Sequence, residues 1–379
     1  MSNDWLEPRS PMDRSRKHDG FTFGMSPVKS AMIHRGIVKA LGAGALLFCA
    51  IGSVLGQVQP EPYTFFKQYI GLKDEQIADI GNGKAVAQVL PTSAPSEVVV
   101  FGAIYINASP EDYLRVAQNL DSLRGLPNYL GIRQFSTPPR LSDFEGFVLD
   151  EDDIQDLKNC RPGRCQLQLP TESMEEFQKS VNWSAPDVAG QVNQLAQKMA
   201  LVELSRYQKD GDSALATYYD KEYPLRVADQ FESLLNKSAS MKNYLPDLQR
   251  YLIGYPQAQL PHSENLFYWE RVKFGLKPTL RMNHMVIYRG SQSSGPVDSI
   301  AIKQLYASHY FQTAIDLSVC VRDSRPDGRG FYLITVKGSR QAGLTGPKGA
   351  MIRKVAVSRT RSSLEASLTH VKRVLESSP

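Results

Sequence analysis

The feature that most constrains this chain is a series of strand-like segments followed by one amphipathic helix, within residues 281–376. The segments are rich in β-branched and aromatic residues, and stretches of Gly, Pro, Ser and Asp at 290–296 and 323–329 interrupt them. Predicted strands cover residues 282–289, 299–311, 313–322 and 330–340. This pattern predicts an antiparallel sheet closed by a C-terminal helix.

The spacing of leucines predicts how the closing helix packs. Four apolar side chains recur at intervals of four, three and four residues and so share one face: Leu364, Leu368, Val371 and Leu375. The charged side chains of this segment fall largely on the other face: Arg361, Glu365, Lys372 and Arg373. Full burial of the four apolar side chains contributes a gross ~6–12 kcal/mol before conformational entropy is subtracted. We therefore expect the helix, residues 357–375, to dock firmly on the sheet.

Length and charge exclude some classes of protein. With 379 residues and 42% apolar content, the chain can bury one large core or two ordinary ones, so we expect a globular protein. The formal net charge of +5 is small for this length, whereas nucleic-acid-binding domains concentrate basic residues in a stripe. We therefore expect no nucleic-acid partner.

The N-terminal region has the pattern of an export signal. After a polar leader, a basic flank at residues 34–39 precedes an apolar, uncharged run at residues 40–55, and small residues end the run. This pattern predicts cleavage near Gly56 and a periplasmic or extracellular protein. The run is shorter than the ~20 residues that span a bilayer, although an N-terminal membrane anchor stays open as the alternative. Three methionines are candidate start sites: Met1, Met25 and Met32.

Export would place the cysteines in an oxidising compartment. Cys160 and Cys165 flank a Pro-Gly turn at residues 161–164, which can bring the two thiols together. We predict a disulfide, whose short loop contributes only ~2 kcal/mol. A metal site is the alternative, but no further Cys or His lies near enough to supply ligands, so we expect none. Cys320 is expected to be a small buried thiol.

The segments before residue 171 predict further strands for the sheet. Residues 57–82 form a linker and a short helix, and two strands follow at 84–90 and 97–107. Ser109 is a predicted helix cap, because Pro110 suits the first helical position and acidic residues follow. A further strand is expected at residues 131–136.

This order of elements resembles the helix-grip fold of START-like lipid-transfer and polyketide-cyclase-like domains. Residues 108–120 look like the first helix of such domains and residues 357–375 like the closing helix. The segments FGLKP at 274–278 and YASHYF at 306–311 also resemble an uncharacterised family of secreted bacterial proteins. The first resemblance implies an α+β fold in which a curved antiparallel sheet, built from residues 83–170 and 278–379, is gripped by the C-terminal helix.

Residues 171–277 interrupt that pattern and predict a large all-helical insertion. Helices are expected at residues 172–181, 187–208, 213–219, 225–236, 242–253 and 267–274. In the second of these, four residues at helical spacing indicate ordinary core packing: Val192, Leu195, Met199 and Val202. An insertion of this size either covers the sheet and helps to wall a cavity, or stands apart as a surface for a partner.

Several titratable residues fall together on the predicted strands. His309 is a candidate general base, with Asp316 as the group that orients it. The alternative is a histidine that is hydrogen-bonded in or near the core. Predicted ligand contacts beside apolar neighbours are Tyr306, His309, Tyr310 and His284.

Three functions stay open at this point. The first is binding of a hydrophobic small molecule or lipid in a cavity between the sheet and the C-terminal helix, with contact to a membrane surface. The second is an enzyme on the same scaffold that uses His309 with Tyr or Asp neighbours, and the third is an envelope interaction protein that acts through the helical insertion. The Gly-rich segment at 343–349 lacks the Lys-Ser or Lys-Thr of a nucleotide-binding loop, so it is read as a flexible turn and no cofactor is expected.

Overall fold

The computed structural model describes residues 62–124, 128–273, 277–292, 295–324 and 329–377. These residues belong to one compact unit. The predicted export signal and its cleavage point at Gly56 lie outside the described residues. Across the described part of the chain, every helix is too short or too polar to cross a membrane.

The architecture is dominated by one large antiparallel sheet. The strands are β1 Val86–Leu90, β2 Glu97–Ile106, β3 Tyr129–Gln134, β4 Thr217–Tyr218, β5 Leu225–Arg226, β6 Ser263–Val272, β7 Thr279–Gln292, β8 Gly295–Ala307, β9 Phe311–Arg322 and β10 Phe331–Gln341. Eight of them form the sheet in the order β1-β2-β10-β9-β8-β7-β6-β3, and β4 and β5 pair separately. From β6 to β10 each strand pairs antiparallel with the next.

Helices cover both faces of this sheet. They are α1 Pro62–Thr64, α2 Asp74–Gly81, α3 Pro110–Gln118, α4 Glu151–Lys158, α5 Thr171–Ser180, α6 Val188–Asp210, α7 Val227–Asn236, α8 Ala239–Tyr244, α9 Pro246–Gly254 and α10 Gly346–Ser377. Helices α3 and α10 pack on one face, which we call the α10 face. Helices α4–α9 pack on the opposite face, which we call the α4–α9 face. The prediction of an α+β protein with a large antiparallel sheet and a C-terminal helix is therefore confirmed.

Helix α10 approaches the sheet closely at a glycine. Leu364 and Leu368 are buried, and a Cβ atom at Gly102 of β2 would lie 2.7 Å from Cδ2 of Leu364 and 2.9 Å from Cδ1 of Leu368. The glycine lets the two leucines rest almost on the strand backbone. The helix also begins at Gly346, earlier than predicted and within the segment that the sequence indicates as a flexible turn, and Pro347 fits its first turn.

Three local predictions are confirmed. Ser109 caps α3, since its Oγ accepts a hydrogen bond from the N–H of Asp112 at 3.1 Å. Cys160 and Cys165 form a disulfide with their Cα atoms 4.5 Å apart. Cys320 is a buried free thiol on the α10 face, as expected.

Part of the predicted helical region is instead strand. Residues 267–274 were predicted as a helix, but up to Val272 they belong to β6, which pairs with β7. Phe267 and Trp269 face the α4–α9 face while Tyr268 faces the α10 face, and aromatic residues that alternate in this way favour a strand. The predicted helix at 213–219 is also wrong, because it contains β4 after a single 3₁₀ turn. Pro246 starts a new helix and thereby divides the segment predicted at 242–253.

The strand predicted at residues 299–311 contains a turn at 308–310. β8 ends at Ala307 and β9 begins at Phe311. Tyr310 takes the left-handed conformation, with φ of 63°, in a segment without Gly or Pro. Gln168, which lies outside strands β6 to β10, stabilises the turn. Its Nε2 donates to the carbonyls of Ala307 at 2.7 Å and Phe311 at 3.0 Å. A contact this distant in sequence leaves no local signal.

Candidate functional site

A small cavity lies on the α4–α9 face, between α5, α6 and strands β7 and β8. Its volume is about 40 Å³. Most of its lining is apolar and includes Leu149, Leu169, Phe177, Met199, Leu280 and Met282. The polar side chains in the lining are Ser173, Glu203 and Tyr306. Apolar walls with few polar groups are characteristic of small-molecule sites.

Glu203 occupies a position of α6 that faces the core. Met199 and Ala200 precede it by four and three residues on the same stripe, and Tyr207 follows four residues later and is buried. Residues at this spacing share a helix face, so the helix geometry directs Glu203 toward the cavity. Val202, predicted to pack in the core, is instead 48% exposed. The inner stripe is rotated relative to the prediction, and this rotation brings a partly buried acidic residue to the wall of the cavity.

The surroundings of Glu203 change its ionisation. Burial raises the pKa of its carboxyl group to about 7, and the guanidinium of Arg206 opposes this shift only in part. Within the described chain, no hydrogen bond to Glu203 contributes to the pKa. A carboxyl group in apolar surroundings is more stable when it is protonated. Near neutral pH, a substantial fraction of Glu203 therefore keeps its proton.

Two tyrosines adjoin Glu203. Tyr306 lines the cavity, and the ring of Tyr218 meets it edge-on with centroids 6.4 Å apart. Burial raises the pKa of both phenols, and the charge of Glu203 raises each further. A backbone hydrogen bond from Ala307 to Tyr218 opposes the rise in the pKa of that phenol only in part. A carboxyl group and two phenols therefore converge beside an apolar cavity.

The pH dependence of stability tests the raised pKa of Glu203. Because its folded pKa lies above the ordinary 4.5, the folded chain holds the proton more tightly than the unfolded chain does. Stability should therefore fall as pH rises from about 4.5 to about 7, and the loss should be complete above that range. Relative to the wild type, Glu203→Gln should be about 2 kcal/mol more stable at about pH 8, allowing for the partly exposed side chain, and nearly equal at about pH 4.

Urea unfolding at the two pH values measures this difference. Glu172→Gln, which changes an exposed carboxylate on α5, is the matched control and should show little pH-dependent gain. A Glu203→Gln difference that is the same at both pH values would contradict the raised pKa.

His309 lies in the turn between β8 and β9 rather than on a strand. Its Nε2 is 2.9 Å and 3.0 Å from the two carboxylate oxygens of Asp153 in α4. Both side chains are buried. The pair therefore joins α4 to the turn, which is the structural arrangement that the sequence left open as the alternative to a general base.

The predicted partner of His309, Asp316, is on the other face of the sheet. Ile315 and Leu317 point to the α4–α9 face, so the alternation of β9 turns Asp316 toward the α10 face. There its Oδ2 accepts from Nζ of Lys337 at 2.5 Å. Asp153, and not Asp316, is therefore the carboxylate that contacts His309. Its helix could have been found from Asp150, which caps α4, and from the acidic residues that follow.

Tyr310 and Lys277 complete the polar cluster around Asp153. The Oη of Tyr310 accepts from the N–H of Lys277 at 2.9 Å. The Nζ of Lys277 lies 3.2 Å from Asp153 Oδ1 and 2.7 Å from Asp156 Oδ2. Of the four predicted ligand contacts, His309 and Tyr310 therefore belong to this cluster, whereas Tyr306 lines the cavity.

The fourth predicted contact, His284, belongs to a separate buried network. Its Nε2 is 2.7 Å from Oδ1 of Asn265 and its Nδ1 is 3.1 Å from Oη of Tyr207. Burial and the nearby ammonium of Lys303 keep the pKa of His284 well below its usual range, so the ring is neutral. Because an amide oxygen only accepts, Nε2 carries the proton and Nδ1 accepts from the tyrosine.

Lys303 is the cross-strand partner of His284 and is fully buried. Its Nζ donates to the carbonyl of Leu252 at 3.0 Å, forms an ion pair with Asp212 and lies 3.9 Å from the ring centroid of Phe231. Burial lowers the pKa of Lys303 to about 8 although Asp212 opposes the shift. These contacts join β8 to the loop after α6 and to α7 and α9.

A charged cluster on the α10 face was not predicted. Arg281 donates from Nη1 to Oε1 of Glu270 at 2.9 Å and from Nε to Oε1 of Gln304 at 3.1 Å. Asn283 also donates to Oε1 of Glu270, at 3.1 Å. Glu270 and Gln304 each have apolar or aromatic residues two positions away on both sides, and such an interruption is the signal that sequence reasoning missed. Arg281 and Asn283 lie two residues apart in β7 and give no such signal.

The arrangement as a whole favours ligand binding or proton exchange at Glu203. Across the described ranges, no group of three or more His, Cys, Asp or Glu residues is placed to hold a metal ion. No protein-family model matches the chain, and a search of curated proteins finds no significant match to its sequence. The functional proposal therefore depends on the geometry of Glu203 and its surroundings.

Proposed function

We propose that the protein binds a small amphipathic molecule in the cavity between α5, α6, β7 and β8. The observation that carries this proposal is the carboxyl group of Glu203 in an apolar lining, where no hydrogen bond contributes to its pKa. A ligand with an apolar body and a charged or polar donor, such as an amine, would complement both features. The hydroxyl of Tyr306 supplies a second polar contact in the lining.

The proposed site differs in position from the one expected from the sequence. The sequence placed the ligand between the sheet and the C-terminal helix, but α10 packs closely at Gly102 and Tyr306 lines a cavity on the opposite face. We propose further that the sheet is helix-grip-like and that residues 171–262 are an insertion whose helices α5 and α6 wall the site. A volume of about 40 Å³ accepts a small group, so a larger ligand requires α5 and α6 to separate.

The N-terminal pattern supports export as part of this proposal. A periplasmic or extracellular binding protein would meet its ligand outside the cytoplasm, and the disulfide Cys160–Cys165 is compatible with an oxidising compartment. Ligand binding in the cavity does not require export.

Butylamine and butanol test the proposed site as matched probes. The charged amine should bind more tightly than the alcohol at about pH 8, by about tenfold, because Glu203 is then ionised. At about pH 5 Glu203 is protonated, and the preference should disappear. Chemical-shift titration of the intact protein measures both affinities and shows whether residues of the cavity respond.

Two variants decide whether Glu203 is responsible. Glu203→Gln should remove the preference for the amine at about pH 8, whereas the surface variant Glu172→Gln should keep it. Failure of both probes to bind, or a preference that survives in Glu203→Gln, would overturn the proposed site.

The same carboxyl group supports a second candidate, a general acid–base enzyme. A side chain with a pKa of about 7 both donates and accepts protons at neutral pH, and apolar walls favour such a role. The enzyme alternative thus moves from His309, whose Nε2 is held by Asp153, to Glu203. Recovery of the natural ligand unchanged after incubation would favour binding alone, and a changed product would favour catalysis.

A further inference from the structure

The first half of α10 carries exposed apolar side chains. Gly349 is buried there, and the next fully buried residue of the helix is Leu364. Between them Met351 is 75% exposed, Ile352 51% and Val355 43%. Residues 351 and 355 are one turn apart and residue 352 is adjacent, so the three side chains form one patch. Such a patch marks an interaction site more often than single exposed residues do.

Basic residues surround this patch. Lys348, Lys354 and Arg359 are exposed, and in the described chain no ion pair joins them to an acidic residue. From Gly346 to Leu364 the sequence contains no Asp or Glu. On a helix of 3.6 residues per turn, Lys348 and Arg359 project on the same side as the patch and Lys354 lies at its margin. The surface is therefore both apolar and positively charged.

Arg353 holds this half of the helix in place. It points away from the patch, and its Nη1 donates to the carbonyl of Pro95 at 2.8 Å and to that of Glu97. Its Nη2 donates to Oγ1 of Thr92 at 3.2 Å. The apolar and basic side chains are thus presented by a helix that is already formed and attached to the loop before β2.

We propose that this surface docks on an anionic lipid membrane. Met351, Ile352 and Val355 enter the boundary between headgroups and acyl chains, while Lys348, Lys354 and Arg359 meet the lipid phosphates. A basic helix with an apolar stripe lies in a membrane interface in this way, and the charges favour anionic lipids. Three side chains on one convex helix face cover far less than the ~800 Å² per partner of a stable protein interface, which favours a lipid surface over a protein.

Cosedimentation with vesicles tests the proposal on the full chain. The vesicles contain either phosphatidylcholine alone or equal parts phosphatidylglycerol and phosphatidylcholine. The wild type should bind the anionic vesicles more tightly, and the excess should shrink as salt is raised, because ions screen surface charge. Any contribution from the apolar run at residues 40–55 is common to all variants, so the readout is the ratio between variants.

Charge variants give the sharpest comparison. Lys348→Gln, Lys354→Gln and Arg359→Gln together should lower binding to the anionic vesicles by about 100-fold, since each basic side chain contributes about fivefold. The control replaces Lys179, Lys198 and Lys209 by glutamine, which removes the same charge from exposed positions on α5 and α6. The control should bind nearly as the wild type does. The single reversal Lys354→Glu should lower binding by about tenfold or more.

Replacement of the apolar side chains by asparagine tests whether they enter the membrane. Met351→Asn, Ile352→Asn and Val355→Asn together should lower binding at least about tenfold, whereas Val202→Asn on α6 should not. Circular dichroism must show that each variant is folded. The exposure of the substituted side chains favours this result. Equal binding of the wild type to both vesicles, no binding to either, or equal losses in the variants and their controls would overturn the proposal. None of these results bears on the cavity at Glu203.

Discussion

Replacing Glu270 by alanine is expected to lower the free energy of unfolding by about 3–5 kcal/mol. Glu270 and Arg281 are cross-strand partners in β6 and β7, and their side chains are only 4% and 10% exposed. Without Glu270 the guanidinium keeps its charge, because arginine does not lose its proton in proteins. Asn283 loses its acceptor as well. A buried charge without its counter-ion costs far more than the ion pair contributes.

Urea unfolding of three variants separates the parts of this effect. Glu270→Gln keeps an acceptor oxygen but not the charge, so its loss should be intermediate. The double variant Glu270→Ala with Arg281→Met should recover much of the stability, because the buried guanidinium is then removed as well. Asp247→Ala is the matched control, since it breaks a 2.7 Å ion pair with Arg250 that is 55% and 70% exposed, and it should cost no more than about 1 kcal/mol. A loss at Glu270 as small as that control would contradict the prediction.

Replacing Gly211 by alanine is expected to cost about 3 kcal/mol or more. Gly211 follows α6 with φ of 62° and ψ of −139°, a region that is nearly restricted to glycine. A Cβ atom there would lie 1.8 Å from the carbonyl oxygen of Tyr255, so the backbone of one segment would have to move. The adjacent Asp212 would move with it and weaken its ion pair with buried Lys303.

Gly71→Ala is the control for a positive φ without a steric contact. Gly71 also has a positive φ, of 77°, but a Cβ atom there meets nothing within 4 Å. Its substitution should cost only about 1 kcal/mol, the strain of a left-handed residue. The difference between the two variants in urea unfolding measures the contact with Tyr255 together with the more restricted backbone conformation of Gly211. Similar losses would show that the close approach at Gly211 relaxes without cost.

Local sequence patterns were sufficient where a structure depends on neighbouring residues. The leucine spacing of α10 predicted Leu364, Leu368 and Leu375 as buried, and they are. The turn between Cys160 and Cys165 predicted the disulfide, because the two residues are close in sequence. The alternation in β9 likewise places Ile315 and Leu317 on one face. In each case the period of the pattern equals the period of the backbone.

The candidate site depended on pairings between distant segments. Asp153 reaches His309 across more than a hundred residues, whereas the sequence favours Asp316 because it is close to His309 in the chain. The sequence does not predict Glu203, because the apolar spacing of α6 indicates an inner stripe one residue earlier, on Val202, which is exposed. A helix whose polar and apolar faces are weakly separated can be rotated in this way without violating its own pattern.

The sequence by itself determined the class of the fold, the strands from β7 to β10 apart from one turn, the direction in which α10 faces, the cap at Ser109 and the disulfide. Each follows from residues within a few positions of one another, where backbone geometry allows few alternatives. Only the tertiary structure decided that helices α4–α9 cover the face opposite α10, that His309 pairs with Asp153, and that Glu203 lies in an apolar cavity. Those outcomes depend on which segments, distant in sequence, bury their apolar surfaces against each other. Such contacts leave no periodic pattern in the sequence.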